Sequence, residues 1–287
     1  MKSTYKLIGS ALLASSLVHS AHAVLLYSHD FSIDEADAVA NGTPGSSGTS
    51  AGDMVFDRNG SSPLSASISG GSLLINSDAS GGANNVTGYT PSFVSGDYGG
   101  INVMAEISSI TGIIGGNGQF VGLSNNMTDN YNNSGSSYAG FFLRNAGGMA
   151  SFRNTGGGRP AGTEFTADYA SFQDGYTIDF TMLADDSFSY TISGLTNIVG
   201  DLGFTGTVSG DGTSVSGTGS FAGGTYTSLD AVTPGTFGAL TAQADVDNAG
   251  TVTVGYDSFA INSVPEPSST ALLGLGAALL IGRRRRV

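Results

Sequence analysis

The 287-residue chain has no cysteine and no tryptophan. Without cysteine no disulfide can staple the fold, so stability must come from burial, and a chain of this length can bury enough. Without tryptophan, any stacking on sugar rings falls to tyrosine or phenylalanine. Histidine is scarce, and His29 is the sole one beyond residue 23. That leaves little for a zinc site or a Ser-His-Asp triad, and no Gly-x-Ser-x-Gly elbow accompanies it. A histidine packed on its own strand neighbours is the better reading.

Positive charge is also sparse. Lys2 and Lys6 lie at one end and Arg283–Arg286 at the other. Between them only Arg58, Arg144, Arg153 and Arg159 face 23 acids, leaving nineteen uncompensated negative charges. Such a surface repels nucleic acid and anionic membrane. It also repels an acidic polysaccharide unless a divalent cation sits between them.

Long apolar runs occur only at the two ends. At the carboxy end, Val264-Pro265-Glu266-Pro267 is followed by Ser268-Ser269-Thr270 and then by an apolar run. That run, Ala271 to Ile281, contains Ala271, Leu272, Leu273, Leu275, Leu279, Leu280 and Ile281, with only glycine and alanine between. As a helix from Ser268 to Gly282 it rises about 22 Å. That is short for a permanent span of a hydrocarbon core about 30 Å thick. Arg283, Arg284, Arg285 and Arg286 then hold the end at a charged surface. By the positive-inside rule they lie in the cytoplasm, with everything before Pro265 outside. The prolines forbid helix upstream and keep the Pro-Glu-Pro corner extended.

These three parts, in this order, resemble the PEP-CTERM sorting tail. The resemblance covers residues 264–287. It implies that a membrane-embedded exosortase recognises the tail and cleaves near Pro265–Pro267. In that family the released protein goes to the cell surface or matrix of Gram-negative bacteria, often alongside exopolysaccharide production. An ordinary membrane anchor would leave the Pro-Glu-Pro unexplained.

The amino end agrees. Lys2 and Lys6 form a basic region, Leu7 to Val18 an apolar one, and Ala21-His22-Ala23 a small-x-small cleavage site. This is the pattern of a secretory signal peptide cut after Ala23. The expected organisation is therefore a signal peptide (1–23), a body (24–262) and a sorting tail (263–287). The expected partners are exosortase and the secretion machinery, the inner membrane transiently, and exopolysaccharide; nucleic acid is excluded.

The body is rich in Gly, Ser, Thr, Asn and Asp, which favours turns and short strands. Leu25-Tyr27-His29-Phe31 alternates with Leu26-Ser28-Asp30. Residues 32–52 read as a long loop. Met54–Phe56, Leu64–Ile68, Ser72–Ile75 and Gln119–Leu123 read as short strands. Ile101, Val103, Ala105 and Ile107 mark a half-buried strand. Residues 138–144 and 149–153 read as a hairpin. The clearest unit pairs Tyr176, Ile178, Phe180 and Met182 with Phe188, Tyr190 and Ile192, across a turn at Ala184-Asp185-Asp186. Weaker strands are expected at 204–208, 225–229 and 237–242. Val252, Val254 and Tyr256 alternate, and Phe259 and Ile261 continue with shifted parity, which predicts a bulge near Asp257.

Many short strands and no convincing amphipathic helix argue an all-β, antiparallel two-sheet sandwich, flanked by the signal peptide and a short C-terminal transmembrane helix. In its rhythm, from His29-Asp30-Phe31-Ser32 and Gly122-Leu123-Ser124 to Tyr256–Ile261, the body resembles the concanavalin A-like jelly roll. That resemblance implies that residues 25–31 neighbour residues 252–261.

Catalytic constellations are harder to find. A retaining glycosidase needs two carboxylates about 5–5.5 Å apart. Glu106 has Met104 and Ser108 at two residues' distance, so an outward strand position is expected for it, and Glu164 reads the same way. Calcium is a candidate cofactor at Asp185-Asp186, in the loop with Asn125, Asn126, Asp129 and Asn130, and above all at Asp245 and Asp247. Solvated turns account for the same residues. The preferred reading is a non-enzymatic structural or adhesive surface protein. The alternatives are a carbohydrate-binding module, calcium-assisted, and then a polysaccharide-active enzyme.

Overall fold

The fold comes from a computed structural model that describes residues 23–31, 54–59, 65–78, 85–115, 118–126, 136–144, 148–155, 158–231, 235–244 and 250–266. These residues form two antiparallel sheets packed face to face.

The first sheet runs in the order Thr207–Val208 (β14), Ser214–Ser220 (β15), Ser187–Ser193 (β12), Tyr176–Leu183 (β11), Gly100–Thr111 (β6), Thr251–Val264 (β17), Ser72–Asp78 (β4) and Ser65–Ser69 (β3), with Leu25–His29 (β1) also on β17. The second runs Val199–Gly200 (β13), Phe165–Thr166 (β10), Met149–Asn154 (β9), Tyr138–Arg144 (β8), Gln119–Ser124 (β7), Phe237–Gln243 (β16), Asn85–Tyr89 (β5) and Val55–Asn59 (β2). The expected two-sheet sandwich is the observed fold.

Alternation decides which face each strand buries. Along β11, Tyr176, Ile178, Phe180 and Met182 are buried, while Thr177, Asp179 and Leu183 are exposed. Met182 pairs Phe188 and Phe180 pairs Tyr190, so the expected hairpin has the expected register. Its loop is three residues long, with Asp186 N–H bonding the Leu183 carbonyl at 3.0 Å and Asp186 at φ 66. A left-handed third residue is what such a loop requires, and Asp tolerates it better than most side chains. Between the sheets the rings of Phe152, Phe180, Phe188 and Tyr190 pack at centroid distances of 4.4–6.3 Å.

β17 is the spine of its sheet. It pairs β6 along its length, β4 through Thr251–Tyr256, and β1 through Phe259–Asn262. The first and last strands are neighbours, as the resemblance implied. The register shifts on both sides of Tyr256, leaving Ser108 of β6 and Asp257 of β17 out of the ladder. That is the predicted bulge, and it keeps Phe259 and Ile261 in the core after the change of parity.

Four expectations are corrected. Residues 225–229 form a helix, not a strand (Thr225–Leu229, α2), joining the short helix Tyr169–Gln173 (α1). The Asp186 carboxylate accepts from Gly224 N (2.6 Å) and Tyr226 N (2.7 Å), so a tertiary contact fixes the first turn of α2. β15 and β5 form strands where none was expected. Glu164 is not outward: it is buried, and its carboxylate pairs with Arg159. The long loop at 32–52 lies outside the described residues.

Candidate functional site at the carboxy-terminal exit

The last strand carries the chain to the edge of the sandwich. Val264 is the final residue of β17 and pairs Gly100, the first residue of β6. Leu183, the last residue of β11, pairs the same Gly100 from the other side. Pro265 cannot donate to a ladder and ends the strand there. The backbone of Pro265 and Glu266 lies directly on Gly99: a Cβ on Gly99 would come 2.7 Å from Glu266 Cα and 2.9 Å from the Pro265 carbonyl. A glycine is therefore required beneath the exit.

The start of the described chain lies at the same place. Ser263 N–H donates to the Val24 carbonyl and Val24 N–H donates to Ser263 Oγ, both at 2.8 Å. Glu266 sits in an open cleft of about 510 Å3 lined by Gly99, Leu183, Ala184, Asp185, Val264 and Pro265. Next to it, burial pushes the Tyr226 phenol up, and the carboxylates of Asp230 and Glu266 add to the shift. That phenol donates to the Ser95 carbonyl at 2.6 Å. Glu266 is exposed there, two residues beyond the end of the last strand.

Residues 263–286 match the PEP-CTERM protein-sorting motif. The PEP-CTERM tail implies an exported protein sorted by an exosortase. Within it, Val264, Pro265 and Glu266 are placed as described, while Pro267 and the apolar and arginine segments lie outside the described residues. Among the described residues no helix is long and apolar enough to cross a membrane. Ala23 is exposed at the start of the described chain, and Ala21 lies outside it.

No curated protein matches the chain. Among solved structures, an endo-1,3-beta-glucanase from Streptomyces sioyaensis shares 14% identity over 85% of this chain and 97% of its own, at a TM-score of 0.46. Arcelin-5, a lectin-like defense protein from Phaseolus vulgaris, shares 8% over 85% and 99%, also at 0.46. The exoplasmic/lumenal domain of VIP36, in its Ca2+/Man3GlcNAc-bound form, shares 9% over 72% and 82%, at 0.42. Likeness at this level says nothing of ligand or activity.

The other candidate residues have structural employment. His29 Nδ1 accepts from Phe31 N at 2.8 Å and its ring stacks on Phe31 at 4.6 Å. Asp185 accepts from Ser187 Oγ at 2.5 Å and Ser187 N at 3.1 Å, and these bonds hold its carboxyl below the usual range. Asp186 accepts the two backbone bonds at the start of α2, so both carboxylates at this hairpin tip already have hydrogen-bond partners. Asn125 is buried, donating to the Ser228 carbonyl and accepting from Ser137 N, each at 2.8 Å. Asp129, Asn130, Asp245 and Asp247 lie outside the described residues, and no group of three acidic or histidine side chains suited to a metal ion occurs among the described ones.

Glu106 points outward as expected. The register sets Asp179 diagonally across from it on β11, a carboxylate neighbour that sequence spacing could not reveal. Both stand on the exposed face of the sheet, where Asp179 takes a hydrogen bond from Asn102 Nδ2 at 2.6 Å.

Two further surfaces escaped the sequence reading. The outer face of β11, β12 and β15 is a lattice of hydroxyls: Thr181, Ser189 and Thr218 form one row, and Thr191 and Ser216 continue the next. An open cleft of about 570 Å3 lies on it, lined in part by Thr181, Ser187, Ser189, Thr205, Thr218 and Ser220. On the second sheet, Tyr89, Phe120, Tyr138, Phe142 and Phe237 form a separate buried aromatic cluster on the face turned away from the inter-sheet core. Phe120 lies over the paired Gly122 and Gly140, whose absent Cβ atoms would come 2.8 Å from its ring.

Proposed function

We propose that this chain is exported by the signal at residues 1–23 and held briefly in the inner membrane by Ala271–Ile281 and Arg283–Arg286. An exosortase then cuts it near Pro265–Glu266–Pro267 and releases it to the cell surface or matrix. The 24–262 sandwich serves there as a structural or adhesive module, in contact with exopolysaccharide. The observation that carries this reading is the sorting motif beginning where the last strand ends. Every residue of the described hydrophobic core precedes that motif in the chain. Deleting residues 267–287 should abolish processing and surface delivery in the native host; delivery unchanged by the deletion would refute the reading.

A second reading is a carbohydrate-binding module. It is favoured by the hydroxyl-lined cleft on β11, β12 and β15, whose row of Ser and Thr side chains carries both donors and acceptors. The negative surface directs it to uncharged glycans. A glycan array with and without EDTA tests it, the EDTA arm probing a role for calcium at Asp245 and Asp247. Absence of binding in both arms would remove it.

A further inference from the structure

Exposed large apolar residues are few on this body, and three of the eight among the described residues gather at the tail exit: Val24 (50% exposed), Leu25 (59%) and Leu183 (36%). The topology puts them together. Leu183 and Val264 flank Gly100, Leu25 pairs Asn262, and Val24 is bonded to Ser263. With the half-buried Pro265 they form one apolar rim around the point where the chain leaves. Among the described residues the charged side chains lining the cleft there are acidic, Asp185 and Glu266, and cleavage after Ala23 sets the single positive charge of the Val24 amino group beside them, leaving the rim with a small net negative charge. This composition disfavours an anionic surface and suits an uncharged interfacial one.

The length of the tail says what covers it. From Glu266 to Ala271, where the apolar run begins, there are five Cα steps, at most roughly 18 Å when fully extended. The headgroup layer on each side of a bilayer is itself about 5–7 Å thick. A body tethered so closely, by a strand rigidly paired up to Val264, can turn only this end to the membrane.

We infer that the rim of Val24, Leu25, Leu183 and Pro265 is a membrane-docking surface that rests in the headgroup layer of a zwitterionic bilayer while the tail is uncut. The inference rests on the anchored-tail reading above. It brings the Ala23–Val24 bond and the Pro-Glu-Pro motif to the same patch of membrane, so both processing steps address one end of one folded body. Once the tail is cut, the tether is gone and the acidic body is free to leave.

The lack of cysteine makes the test direct. The exported protein is produced in a host without exosortase, so that it keeps its tail, and reconstituted in phosphatidylcholine vesicles. Single variants Val24→Cys, Leu25→Cys and Leu183→Cys carry an environment-sensitive fluorophore. Ile113→Cys is the control, beyond the far end of β6, which is roughly 36 Å long. With headgroup-nitroxide lipids, the rim probes should be quenched several-fold more than the probe at position 113. Equal quenching at rim and control, on protein that floats with the vesicles, would overturn the docking surface while leaving the tail reading intact. Protein that does not float at all sinks the tail reading, and the docking surface with it. Rim probes shielded in native-host membranes but not in pure lipid would assign the rim to a membrane protein and overturn the lipid assignment. Three rim positions guard against one label disturbing the fold.

Discussion

Gln119 is fully buried, and its side chain joins the two sheets. The Tyr176 hydroxyl donates to its Oε1. Its Nε2 donates to the Tyr256 hydroxyl at 3.1 Å, which in turn donates to the Thr241 carbonyl at 2.8 Å. Gln119→Leu leaves the Tyr176 hydroxyl buried without an acceptor, a loss of about 1–3 kcal/mol. Tyr176→Phe in the same chain should restore much of it, because the orphaned hydroxyl is gone. Urea unfolding of the two singles and the double checks this; a neutral Gln119→Leu contradicts it. Burial pushes both phenols up from the ordinary tyrosine value. A raised pKa means that the folded state holds these protons more tightly. Their contribution is thus fully present below pH ~10, and it is lost as pH rises beyond that, where the unfolded chain ionises first. Tm should stay flat up to about pH 10 and fall above it, in step with tyrosinate absorbance. Asp186 offers a sharper contrast with its neighbour. Asp186→Ala removes the acceptor for two backbone N–H groups at the start of α2 and should cost about 2 kcal/mol or more. Asp185→Ala, at a solvated turn, should leave unfolding nearly unchanged.

Strands with large inward residues announced themselves; strands whose partners supply the bulk did not. β11, β12 and β6 carry apolar residues at every second position, and the shifted parity of β17 exposed its bulge. Apart from Val215, β15 reads as Gly, Ser and Thr, because Gly217 and Gly219 face inward beneath larger rings. A Cβ at Gly217 would sit 2.7 Å from the Tyr190 hydroxyl oxygen, and one at Gly219 would sit 2.5 Å from the Phe188 ring. The apolar half of the pattern therefore lies on the neighbouring strand, out of reach of a one-dimensional reading. α2 differs from its expected strand because Thr-Tyr-Thr-Ser-Leu favours a strand locally, while the Asp186 carboxylate, forty residues before Tyr226, caps it as a helix. Glu164 lies buried because its partner Arg159 meets it once the 159–164 loop has folded. β17 itself supplies a prediction. Removing residues 267–287 should shift Tm by less than about 2 °C, under 1 kcal/mol for a domain of this size. Truncation after Ser258 strips the partner of β1 and half the partner of β6, and should prevent folding. A near-native Tm for the shorter chain would contradict the central place given to β17.

The molecule as a whole is an acidic sandwich whose first and last described strands are neighbours. The tail could be read without the structure because it is a linear signal, with Pro-Glu-Pro, an apolar run and arginines in fixed order. The body's surfaces could not, because the hydroxyl lattice and the second aromatic cluster are assembled across strands far apart in sequence. What joins the two is the short path from Val264 to the tail; in the function proposed above, that tail delivers a folded module to a membrane and is then cut off. The most direct measurement is the intact mass of the protein recovered from the surface of its native host. The account predicts a chain that begins at Val24, ends at or near Pro265–Pro267 and lacks Arg283–Arg286. A mass corresponding to all 287 residues would contradict it.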